Sequence, residues 1–136
     1  MKPEPIDLRG VTTVKELVER VVETRAREVR QLTAGLERRE RRGLHDFRIA
    51  CKRLRYALER FAELRPSLQA VAERLALLQD ALGETRDRDL LLAVLPPSMP
   101  ATERRLQYER EASVDRALAL CGELEQTMRA LDSHPI

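Results

Sequence analysis

Small aliphatic residues recur at three- and four-residue steps along most of this chain, and over such lengths that period fits an amphipathic α-helix. The clearest run is Leu68, Val71, Ala72, Leu75, Leu78 and Leu82. Val14, Leu17, Val18, Val21, Val22, Val29, Leu32 and Leu36 form a second, and Phe47, Cys51, Leu54, Leu58 and Phe61 a third. Aromatic residues make up 3% of the chain and Trp is absent, so a sheet would lack the side chains that fill pleated faces. At 136 residues the chain suits one domain with a sizeable core. The expected class is all-α, a four-to-five-helix antiparallel bundle.

Punctuation divides the chain into a lead-in over 1–11 (Pro3, Pro5, Gly10), a single helical domain over 12–132 and a tail over 133–136. Thr12 or Thr13 is placed to cap a first helix over 12–41, with Glu16 positioned for a capping box. Gly35 weakens its end, and the run 38–42 leads into Gly43. A second helix is predicted from near Leu44 to just before Pro66. Ser67 is the expected cap of a third, which Gly83 should stop. Thr85 then caps a short segment over 86–95, Pro96, Pro97 and Pro100 form a stiff connector, and a last helix spans 101–131. That helix should turn Leu106, Ala117, Cys121, Leu124, Met128 and Leu131 inward. The spacing of Cys51 and Cys121 fits neither a zinc site nor a redox pair, so both are expected as core thiols in a reducing compartment. No signal peptide is evident, and no apolar run approaches the roughly 20 residues of a membrane span. The expected location is cytoplasmic, with no membrane partner.

Formal net charge is only +2, but the distribution is uneven. Residues 38–65 hold ten Arg or Lys against four Asp or Glu, a local +6 that leaves −4 elsewhere. Arginine outnumbers lysine 22 to three, and its planar fork suits bidentate contact with phosphate. At about 100° per residue, His45, Arg48, Lys52 and Arg55 fall within an arc of about 80° along a row about 15 Å long. The core residues Phe47, Leu54, Leu58 and Phe61 lie beside or opposite them. Such a row can exchange the hydration of a linear polyanion for charge-assisted hydrogen bonds and release its counterions. Arg53 points about 100° or more away and is a weaker candidate. Arg25 interrupts the apolar stripe of the first helix, so it requires either a carboxylate such as Glu28 or Asp80, or a polar channel opening to ligand.

The residues His45, Arg48, Lys52, Arg53, Leu54 and Arg55 resemble the central motif of the CHAD family, the conserved histidine α-helical domain, which reads approximately H-x-x-R-x-x-x-K/R-R-L-R. Leu82, Gly83, Arg86, Asp87 and Asp89 are similar to its second motif, L-G-x-x-R-D-x-D. The resemblance implies a helical bundle that binds inorganic polyphosphate in a basic channel. His45, Arg48, Lys52 and Arg55 would then be phosphate contacts and Arg86 would reach the channel, with Arg53 and Arg25 as further candidates. Asp87 and Asp89 are expected in the first turn of a short helix, orienting arginines rather than holding a metal. Proteins of this family resemble two such repeats related by a pseudo-twofold axis, whereas each motif occurs once here. A homodimer that rebuilds the channel is therefore expected.

Two other classes compete. An RNA- or DNA-binding helical protein would share the arginine stripe, but with two Phe and two Tyr base stacking is poorly supplied. A helical interaction bundle without ligand is the other. Catalysis is not expected: His45 and Asp46 diverge on a helix, and His134 lies in the C-terminal tail. No cofactor or metal is expected.

Overall fold

The computed structural model describes residues 2–133; of the expected tail over 133–136, Ser133 ends the last helix, and the rest, with His134, lies outside the described residues. Five helices follow in order: α1 (Val14–Gln31), α2 (Thr33–Glu37), α3 (Arg41–Phe61), α4 (Leu68–Val94) and α5 (Pro100–Ser133). Among the described residues there is no strand. α4 packs on α3 and α5, and α3 on α1. Short connectors make successive long helices antiparallel, and Arg30 of α1 meets Glu125 of α5 at 3.4 Å. No helix among the described residues is long and apolar enough to cross a membrane.

The core follows the apolar stripes. Phe47, Cys51, Leu54 and Leu58 of α3 are fully buried, as are Leu68, Leu75 and Leu78 of α4. Val114, Ala117, Leu124 and Met128 of α5 complete it. Each large side chain so buried contributes about 1.5–3 kcal/mol. Burial also drives the Cys51 thiol pKa upward, aided by neighbouring Cys121, so Cys51 behaves as a small hydrophobe. Cys121 is only half-buried. Val14, assigned to the first apolar stripe, is instead 60% exposed, because it occupies the first helical turn, before α1 reaches its neighbours.

Helix boundaries differ from expectation at three places. The helix expected over 12–41 ends at Gln31, and α2 follows as a separate piece. Gly35 and Gly43 explain the crossing: a Cβ on Gly35 would lie 2.9 Å from the Gly43 carbonyl oxygen, and one on Gly43 would lie 2.8 Å from the Gly35 Cα. Two backbones pass where no side chain fits. Gly43 therefore lies inside α3, which starts at Arg41 rather than near Leu44.

Gly83 likewise does not stop a helix, since α4 runs through it for 27 residues. Thr85 caps nothing; it is buried, hydrogen-bonded to the Ala81 carbonyl at 3.1 Å and to Ser113 Oγ of α5 at 2.6 Å. Ser67 holds the N-cap position of α4 without a side-chain capping bond. Thr13, in contrast, caps α1 as expected, accepting from the Glu16 N–H at 3.1 Å while Glu16 accepts from the Thr12 N–H and the Thr13 hydroxyl. Those bonds hold the Glu16 carboxyl below its ordinary range. The lead-in is pinned too: the Glu4 N–H donates to Glu28 at 2.9 Å, and Arg20 donates to the Asp7 carbonyl at 2.8 Å.

Candidate functional site

With Gly43 inside α3, the basic stripe gains a turn. Arg41, His45, Arg48, Lys52 and Arg55 follow at steps of four, three, four and three, the spacing of one helical face. This face borders α4, and two adjoining cavities lie between the helices. One, of about 460 Å³, is lined by Arg41, Arg42, His45, Arg48, Arg86 and Asp89 over a floor of Leu44, Leu82, Thr85 and Leu90. The other, of about 570 Å³, is lined by Arg48, Lys52, Arg55 and Tyr56 of α3 and by Gln79, Asp80, Gly83, Glu84 and Asp87 of α4. Arg48 belongs to both. A Cβ on Gly83 would meet no atom within 4 Å, so this glycine leaves the groove open.

The structure thus brings His45, Arg48, Lys52, Arg55 and Arg86 to one groove, in different states. Among the described residues Arg41, Arg42, Arg48 and Arg86 form no ion pair, and the buried Nε of Arg48 has no hydrogen-bond partner. Lys52 Nζ lies 5.7 Å from the centroid of the Tyr56 ring, within reach of a cation–π contact. Arg55 donates from Nε to Glu59 at 2.6 Å and from Nη1 to Gln79 at 3.1 Å.

Arg25 and Arg53 belong elsewhere. Arg25 donates to Glu28 at 2.5 Å and to the Glu4 carbonyl at 3.0 Å, and Arg53 lies 3.9 Å from the other Glu28 oxygen. Of the alternatives open for Arg25, the structure selects the carboxylate Glu28 rather than Asp80 or a channel. Neither Arg25 nor Arg53 lines the groove: a largely buried Glu28 draws both to the α1 side.

The acidic residues of the second motif also need correction. Asp87 and Asp89 sit in the body of α4, not in the first turn of a separate helix, so no helix terminus acts on them. Asp89 orients an arginine, but one from α5: Arg110 Nε donates to it at 2.6 Å. The same guanidinium donates from Nη1 to Glu111 at 2.8 Å and from Nη2 to the Arg39 carbonyl at 2.7 Å. Arg39 has φ of 60°, a left-handed conformation that costs a non-glycine residue about 1–3 kcal/mol. Its side chain is held in turn by Glu111 at 2.8 Å and by Asp115. Arg39 draws the Glu111 carboxyl below its usual range, and Arg110 adds to this. α5 therefore clamps the turn that launches α3.

Arg41 and Arg42 are site residues that the sequence reading missed. For Arg41 the signal was present in the four-three-four-three spacing, but reading Gly43 as a break hid it and left Arg42 outside the helix as well. His45 and Asp46 diverge as expected, His45 toward α4 and Asp46 toward a cleft beside α2. Among the described residues, no three His, Cys, Asp or Glu side chains converge as metal ligands.

A family model described as the CHAD domain matches residues 3–96, from the lead-in through α4. No curated protein and no solved structure matches the chain. α5, with Arg110 and its partners, follows the matched segment.

Proposed function

The chain belongs to the CHAD domain family, and from that premise and the groove geometry we propose that it binds inorganic polyphosphate, or a similar phosphate polyanion, between α3 and α4. The family is associated with polyphosphate binding. One observation carries the assignment to this groove. Arg41, Arg42, Arg48 and Arg86 converge with His45 on a single cavity, and its one lining carboxylate, Asp89, is already engaged by Arg110. Unpaired guanidinium groups around a partly enclosed space match the multiple oxygens of phosphate. The role proposed is binding rather than catalysis: His45 and Asp46, adjacent on α3, line different clefts and form no dyad with each other. A cytoplasmic setting fits the two free thiols.

Arg48 is the point common to both cavities and gives the direct test. Arg48→Ala should weaken polyphosphate binding roughly tenfold, the worth of one charge-assisted hydrogen bond. It should also reduce the slope of log affinity against log salt by about one. Helicity by circular dichroism should not change. Unaltered affinity would remove the groove from the assignment. Single-stranded RNA that displaced polyphosphate at fixed salt would favour a nucleic-acid reading instead, although Phe47 and Phe61 pack into or against the core.

We further infer that two copies pair. Leu90, Leu91 and Val94 of α4 are 45%, 49% and 77% exposed, and Tyr108 of α5 is 77% exposed. They lie toward the tip of the α4–α5 hairpin, and Leu90 also borders the cationic cavity. A second copy covering this tip would supply a second set of the motifs that occur once in this chain.

A further inference from the structure

The two halves of the groove differ in charge balance. In the half with Arg41 and Arg86, the only lining carboxylate is Asp89, whose side chain is 12% exposed and bonded to Arg110. In the half with Lys52 and Arg55, α4 presents Asp80, Glu84 and Asp87. Glu84 pairs with Arg116, but Asp80 and Asp87 form no ion pair among the described residues. Arg55 is meanwhile committed to Glu59 and Gln79. An anion is therefore attracted at one end and meets carboxylates at the other.

We propose that the groove is a compact seat for the terminal portion of a condensed phosphate, and not a track along which a long chain lies. The inference rests on the phosphate-binding reading above and specifies which part of the ligand is recognised. A chain end suits this seat because its terminal phosphoryl group carries more charge and more free oxygens than an interior unit. The seat supplies unpaired guanidinium groups around one cavity, whereas an interior segment would have to continue past Asp80 and Asp87. Arg55 lies about 10 Å along α3 from Arg48, beyond a Debye length of about 8 Å at physiological salt, and contributes little to the seat.

Isothermal titration calorimetry with inorganic tripolyphosphate and with long-chain polyphosphate tests this. The expected result is similar affinity per chain end for both, with one protein bound at each end of a long chain whatever its length. Arg86→Ala should weaken both ligands roughly tenfold, and Arg55→Gln should weaken both by a distinctly smaller factor. Stoichiometry that rises with chain length, or equal losses from the two substitutions, would overturn the compact seat while leaving phosphate binding intact. Failure of both phosphates to bind would remove the underlying reading, and the seat with it.

Discussion

Asp89 stands on the wall of the cationic groove, where a carboxylate opposes any incoming anion unless its charge is met from behind. Arg110 meets it, at 2.6 Å and with only 13% of its own side chain exposed. Arg110→Met should therefore weaken polyphosphate binding several-fold, by leaving an unpaired negative charge beside Arg86, and should lower stability by about 1–3 kcal/mol. Adding Asp89→Asn to that variant should recover most of the affinity, because the unpaired charge is gone. Calorimetric titration and thermal melts on the two variants check this. Affinity that stays low in the double variant would mean that Arg110 acts only by holding the Arg39 turn. That Asp89 orients an arginine was legible in the sequence, but which arginine was not. Arg110 is 21 residues from Asp89 along the chain, and only the antiparallel pairing of α4 with α5 joins them.

Two glycines within helices act in opposite ways, and they mark where reading helices from sequence stopped working. The apolar faces were legible because burial sets their period: Leu68, Val71, Ala72, Leu75, Leu78 and Leu82 all lie in the core. The breaks read from proline were legible too, but those read from Gly43 and Gly83 were not, because glycine disfavours a helix by only about 1 kcal/mol relative to alanine, and packing outweighs that. Gly43→Ala should destabilise the protein by about 1–3 kcal/mol, as overpacking does, since the methyl group would meet the Gly35 backbone. Gly83→Ala should stabilise it by about 0.5–1 kcal/mol, since its methyl group meets open space and the helix gains propensity. Chemical denaturation of the two variants should give shifts of opposite sign. The same misreading of Gly43 hid Arg41 and Arg42, so four of the groove cations, with His45, were legible and two were not.

At the scale of the molecule, α4 is the longer of the two groove helices, 27 residues against 21, and carries exposed Leu90, Leu91 and Val94 toward its C-terminal end. If its exposed tip joins two copies, light scattering at micromolar concentration should give twice the mass of one 15.7 kDa chain. Val94→Lys should return the single-chain mass without loss of helicity. A single-chain mass for the unaltered protein would leave each groove to work alone. That the motifs occur once was legible, but the surface available for pairing was not, since exposed Leu90 and buried Leu82 differ only in which neighbours the fold supplies. The family match ends at residue 96, yet among the described residues the most extensive helix contact is that of α4 with α5. A fragment cut at that point would retain every signature residue and lose the helix that covers one flank of α4. Anyone transplanting the groove into another scaffold must treat α5 as part of the cassette, because the recognisable signature is smaller than the set of helices that supports it.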